Sequence, residues 1–203
     1  LLSIFKSKGE DLYLGIATDG SAGGDKHKNL KEIRKKETLK ALSNLGTPVF
    51  FDYEDGKLAN QNLSMRKITD FIYTIKPDLI ITHSPNDYHP DHRALSRFVV
   101  ENVSFKHPVL FSENLMGFNF NPDYYFDITK YFQEKESAIK CHISQNPSRL
   151  FEFIKSMNLY RSLQCNNRSN TYVECYKSHK NFPFMDIHHL LPNTIMKNPF
   201  YLV

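Results

Sequence analysis

The stretch His83-Ser84-Pro85-Asn86-Asp87-Tyr88-His89-Pro90-Asp91-His92-Arg93 concentrates imidazoles and carboxylates directly behind the apolar run Leu79-Ile80-Ile81. A short apolar run that ends in such a loop is how an α/β sheet presents a site at the carboxyl end of a strand. Pro90 suits the first position of a helix, with His89 at its cap and Asp91 and His92 in the first turn, ahead of the amphipathic run Ala94 to Val100. The positive end of a helix disfavours protonation of a nearby imidazole, and the neutral form is the one that ligates a metal. Residues three apart share a helix face, so His89 and His92 can address one small volume. The pattern points to half of a metal site; the bland alternative is a polar loop whose histidines are merely solvated.

The elements that must position this loop alternate between strand and helix. Leu1 to Gly9 has the apolar spacing and the final lysines and glycine of a helix end. Leu12 to Thr18 predicts a buried strand, and Asp19-Gly20-Ser21-Ala22-Gly23-Gly24 the loop leaving it, whose glycines match no phosphate-binding fingerprint. Leu30 to Leu45 predicts a helix on which Arg34 and Glu37 lie close enough to pair. Strands are predicted at Val49 to Tyr53 and Leu79 to Thr82, with a turn at Glu54-Asp55-Gly56 and a helix from Leu63 to Ile75 between them. Helix 93–102 and a strand at Val109 to Phe111 follow, and Asn114 to Asn121 is irregular. Then come a short aromatic strand at Tyr124 to Ile128, a helix capped by Thr129, a second helix from Ser148 to Leu163 and a last strand from Thr171 to Tyr176. This alternation predicts an α/β fold with a mostly parallel sheet and right-handed crossovers.

Composition narrows the class. At 203 residues, 40% hydrophobic and 24% charged, the chain suits one domain with a real core, taken as residues 1–180, with 181–203 as an aromatic- and proline-rich extension of unclear role. A net charge of +4, with lysines and arginines scattered among acids, argues against a nucleic-acid partner, and the cluster from Lys26 to Lys40 reads as a helix face. Three cysteines without C-x-x-C spacing argue against a disulfide framework or thiolate zinc and favour a reducing, cytoplasmic setting. No run has the length of a membrane span. His188 and His189 are expected to be solvated or core-packed.

These residues resemble the PIG-L/LmbE family of zinc-dependent de-N-acetylases. The resemblance spans Leu1 to about Tyr176. His89-Pro90-Asp91-His92 matches the family's second zinc motif, and Ala17-Thr18-Asp19-Gly20 its loop after the second strand. Ile33-Arg34-Lys35-Lys36-Glu37 matches its R-x-x-E helix, and Asp127-Ile128-Thr129 with Lys135 and His142-Ile143-Ser144-Gln145 a segment near the end of its domain. The family's first motif, A-H-P-D-D-E, has no counterpart in this sequence. The resemblance therefore implies a Rossmann-like three-layer α/β/α sandwich cut just inside its first helix, without the first, central strand.

Carried over position by position, the resemblance implies that His92 is a zinc ligand whose co-ligands belong to the missing motif. His89 would stabilise the oxyanion and protonate the leaving amine, with Asp91 orienting it. Arg34 and Asp55 would bind the sugar, with His142 and Gln145 nearby. The substrate implied is an N-acetylglucosamine-bearing small molecule or glycan, hydrolysed weakly by this polypeptide because its metal site is incomplete. Amide hydrolysis needs such groups, because zinc lowers the pKa of water to about 7 and an acid must serve the departing nitrogen. A non-catalytic sugar- or protein-binding relative is the alternative. A nucleotide-binding Rossmann protein is a further one, with Asp19 as the ribose acid, but the glycines lie behind the wrong strand.

Overall fold

Helix α1, Leu2–Ser7, ends as its sequence predicts, with Gly9 turning the chain at φ +85°. Strand β1 (Gly15–Thr18) and strand β2 (Val49–Tyr53) pair in parallel across helix α2 (Leu30–Ala41). Helix α3 (Arg66–Ile75) leads to strand β3 (Ile80–His83), and helix α4 (Pro90–Val103) to strand β4 (Val109–Ser112), again parallel to its predecessor. Strand β5 (Tyr124–Asp127), helices α5 (Phe132–Lys140) and α6 (Pro147–Gln164), and strand β6 (Val173–Ser178) complete the order. This computed structural model describes residues 1–23, 29–60, 65–103, 105–165, 171–180 and 187–193. Gly24, part of the Lys26 to Lys40 cluster, the first residues of the helix expected from Leu63, and most of the 181–203 extension lie outside the described residues.

The expected mostly parallel sheet is corrected to a mixed one. Among the described residues β1-β2 forms one sheet and β3-β4-β6-β5 another, and β6 runs antiparallel to both neighbours. The cause is the connection: a single helix returns the chain to the same edge of the sheet, whereas α5 followed by α6 crosses it twice and delivers β6 reversed. Helices cover both faces of β4. Val109 and Phe111 pack in one cluster with Ile68, Ile72 and Val99 of α3 and α4, while Leu110 packs in another with Leu1 and Phe5.

Two local expectations also change. Thr129 does not cap a helix; its N–H donates to Asp127 Oδ1 at 2.8 Å and its hydroxyl accepts from Tyr172 N at 2.9 Å, which fastens the start of the α5 region to β6. On α2 the apolar Ile33 and Leu39 are exposed and Glu37 is buried, so the rhythm of the sequence marks the wrong face. No described helix is long and apolar enough to cross a membrane.

Lys135 Nζ joins α5, α6 and β6, donating to Asn158 Oδ1 at 2.9 Å and Glu174 Oε1 at 2.7 Å. Burial pushes the Glu174 carboxyl up, but charge pairing, that with Lys135 foremost, outweighs it and holds the carboxyl far below the usual range. A depressed folded-state pKa stabilises above the unfolded value and is lost as pH falls. Glu174→Gln is therefore expected to lower the urea midpoint at pH 7, and the gap to the parent should close as pH drops below about 4. A gap that does not change with pH would show that the charge contributes nothing.

Candidate metal centre and substrate cleft

β3 ends at His83 and the chain turns at once, with Asp87 N donating to Ser84 O at 3.1 Å and Asn86 N to Ser84 Oγ at 3.2 Å. The turn buries Asp87 to 4% exposure. One oxygen of its carboxylate accepts from His89 N at 2.9 Å, and the other lies 3.1 Å from His92 Nδ1. Arg93 pins the same turn through the Asp87 and Tyr88 carbonyls, at 2.8 and 2.7 Å. Pro90 opens α4 as the sequence predicts, which places His92 in its first turn.

These contacts set the tautomers. A carboxylate only accepts, so neutral His92 carries its proton on Nδ1 and leaves the Nε2 lone pair free for an ion. An amide only donates, and Asp91 N donates to His89 Nδ1 at 3.2 Å, so neutral His89 carries its proton on Nε2. The two rings lie 4.6 Å apart and offer opposite chemistry, a lone pair and a hydrogen-bond donor.

His83 and Asp87 were not singled out from the sequence. His83 lies flat on His92, centroids 3.8 Å apart and planes within 2°. Burial pushes His83 down to about 4, helped by His92 and only partly offset by Asp87. Candidate ligand atoms of His83, Asp87 and His92 fall within 4.8 Å of one another. Imidazole lone pairs lie in the ring plane, so two parallel stacked rings aim side by side instead of converging on one ion. In this arrangement His83 packs against the ring of His92, and the two rings are not aimed at a common ion. The usable signal for Asp87 was an acid just ahead of the histidine motif, within one turn of it.

Asp91 departs from expectation. Its buried carboxylate accepts from Gly56 N at 2.6 Å and Leu58 N at 3.0 Å, and only its backbone touches His89. The expected orientation of His89 therefore runs through the amide of Asp91, because its carboxylate is occupied by two strong donors from the loop after β2.

Arg34 does not pair with Glu37. Its guanidinium donates to Gly20 O at 2.6 Å and Gly23 O at 3.0 Å, with Asp55 Oδ2 at 3.6 Å. A Cβ on Gly20 or Gly23 would meet Arg34 atoms at 2.8 Å, so these glycines admit the arginine and are not mere flexibility. Asp55 accepts from Thr18 Oγ1 at 3.3 Å and Ala22 N at 3.2 Å. Asp19 Oδ1 accepts from Ser21 N, Ser21 Oγ and Asp55 N, which assigns the proposed ribose acid to holding its own loop. Glu37 instead accepts from Ser144 N at 2.8 Å and Ser144 Oγ at 2.7 Å, fixing the short turn that carries Gln145.

Arg34, Asp55, His89, Asp91, His92 and Gln145 line one cavity of about 420 Å³. His142 is not on its lining. Its buried Nδ1 has no hydrogen-bond partner among the described residues, and burial lowers its pKa. The donor set suits a metal ion at His92, a cavity-lining imidazole whose Nδ1 is held by Asp87 and whose Nε2 lone pair is unclaimed.

Compared with known proteins, residues 1–103 match the family model described as PIG-L, GlcNAc-PI de-N-acetylase. The chain is 27% identical over 169 residues to the Bacillus cereus protein named "Probable N-acetyl-alpha-D-glucosaminyl L-malate deacetylase 2", covering 73% of this chain and 77% of that one. It is 24% identical over 153 residues to the 4-oxalmesaconate hydratase of Pseudomonas putida, covering 66% of this chain and spanning 58% of that relative's length. The solved N,N'-diacetylchitobiose deacetylase of Pyrococcus horikoshii superposes with a TM-score of 0.75 at 20% identity, over 92% of this chain and 81% of the other, which establishes the likeness of fold.

The two hydrogen bonds to Asp91 lead to a measurable expectation. Asp91→Asn should cost about 1.5–3 kcal/mol in urea unfolding, the range for hydrogen bonds to a charged group. An unchanged midpoint would mean that the carboxylate does not hold the loop.

Proposed function

The chain belongs to the PIG-L family of GlcNAc-PI de-N-acetylases, and from that premise we propose that it removes the acetyl group from an N-acetylglucosamine-type conjugate by metal-assisted amide hydrolysis. The observation that carries this reading is the opposed pair of tautomers at one cavity. His92 offers Nε2 to the metal, with Asp87 fixing its ring. Zinc held there supplies a polarised carbonyl and lowers the pKa of water to about 7. His89, carrying its proton on Nε2 and lining the cavity, would hydrogen-bond to the developing oxyanion and relay to the departing amine the proton that the attacking water releases. Arg34, Asp55 and Gln145 on the cavity lining would bind the sugar, with His142 near Arg34 but off the lining. Asp91 acts as a positioning residue, through its amide on His89 and its carboxylate on the loop that carries Asp55.

Catalytic zinc sites use three protein ligands. His92 has the carboxylate-fixed ring, while His83 on the same lining is stacked parallel to it and aims its lone pair alongside, so the polypeptide is read as a weak metal binder with low turnover. One observation favours a second reading. The cavity wall from α2 carries Lys31, Arg34 and Lys35, with Lys31 near Asp52 and Arg34 near Asp55, so Lys35 is the cation left for a carboxylate substrate, and the Pseudomonas putida relative is a hydratase.

Calorimetric titration is expected to show zinc binding weaker than micromolar that disappears in His92→Ala; sub-micromolar binding would mean further ligands are at hand. At saturating zinc, slow amine release from an N-acetylglucosamine conjugate should be lost in His92→Ala and fall about 10²-fold or more in His89→Ala. Equal release by parent and His92→Ala sinks the deacetylase reading, and hydration of an unsaturated dicarboxylate without amine release selects the second.

A further inference from the structure

The cavity that holds His92 is crowded with groups that suit hydroxyls: Asp19, Lys31, Asp52 and Asp55 join Arg34 and His89 on its lining. A pyranose asks for something else as well. Its hydroxyls stand round the rim and its C–H bonds fill the faces, and a small-molecule site combines a few placed polar groups with an apolar surface that takes the carbon. Leu58 lies on the lining but is 1% exposed, so it offers almost no surface. Two carbocyclic rings remain, Phe50 and Tyr88. Lys35 Nζ stands 4.8 Å from the centre of the Phe50 ring, which commits that face to a cation. Tyr88 keeps 56% of its surface exposed.

Exposure alone carries little, because single apolar side chains on a protein surface are ordinary. Two observations set Tyr88 apart. The first is how its backbone is held. Asp87 before it is buried, with its carboxylate accepting from His89 N at 2.9 Å, and the Tyr88 carbonyl accepts from Arg93 Nη1 at 2.7 Å. These contacts all lie between Asp87 and Arg93, so the loop sets the position of the ring from within itself. Tyrosine has only two side-chain torsions, and a clamped backbone leaves little further freedom to freeze when a ligand arrives. The second is the corner it makes with His89, ring centres 6.4 Å apart and planes at 78°. A perpendicular contact covers at most one face of the phenol ring. A flat apolar surface therefore stays open next to the imidazole that serves the amide.

We propose that Tyr88 is the platform on which the sugar lies, its ring receiving one C–H face of the N-acetylated pyranose and thereby selecting a cyclic substrate over an open-chain one. An aromatic ring buries a broad apolar area against a flat partner, while its polar tip stays wet. An open-chain amine offers no such face, so it forfeits this burial while keeping its hydroxyls for the charged wall. The inference rests on the reading of the cavity as a sugar site, and it concerns binding before any chemistry.

The probes are the methyl glycoside of N-acetylglucosamine and the open-chain N-acetylglucosaminitol, titrated into the zinc-free chain and followed by proton NMR. The glycoside is expected to bind saturably, with its ring C–H protons shifted upfield by the aromatic face and the alditol about tenfold weaker. Tyr88→Phe should keep both the shift and the preference. Tyr88→Leu, with the parent's circular dichroism, should lose the upfield shift and bind the two probes alike. No binding of the glycoside, binding without upfield shifts, or an undiminished preference in Tyr88→Leu would each overturn the proposal. Amine release at saturating zinc separates the two readings: upfield shifts without release uphold the platform and sink the deacetylase, whereas release without upfield shifts sinks the platform alone.

Discussion

The site depends on one buried carboxylate. Asp87 sits at the end of β3 with almost no solvent to share its charge, and its two oxygens take the backbone of His89 and the ring of His92. A charge removed from water must find donors of fixed geometry. Here that requirement does the positioning: the same group that needs two donors decides which nitrogen of His92 is bare and where the chain enters α4. His83 then fills the space behind the ring, and its own burial keeps it uncharged against its neighbour.

What was legible in the sequence was local. An apolar run, then proline, then an amphipathic period names the end of β3 and the start of α4 with little help from the rest of the chain, and the spacing of His89, Asp91 and His92 follows from helix geometry. The partner of the Asp91 carboxylate was not legible, because Gly56 and Leu58 lie more than thirty residues away and offer only main chain. The role of Gly20 and Gly23 was hidden for a similar reason: only the arrival of Arg34 shows what a Cβ there would meet. On α2 the apolar rhythm misled, since Glu37 is buried for the two donors of Ser144 while Ile33 and Leu39 face outward.

Strand direction was the least local property. Each strand segment announces itself by composition, yet whether β6 runs with or against β4 depends on how many helices the chain spends between β5 and β6.

The tie between Asp91 and the loop after β2 has a mechanical consequence. Asp55, the arginine beside it, His89 and His92 all line the cavity, and the loop after β2 is tied to the first turn of the helix that carries His92. Parting the loop from that helix means breaking two hydrogen bonds and leaving a buried charge without its donors.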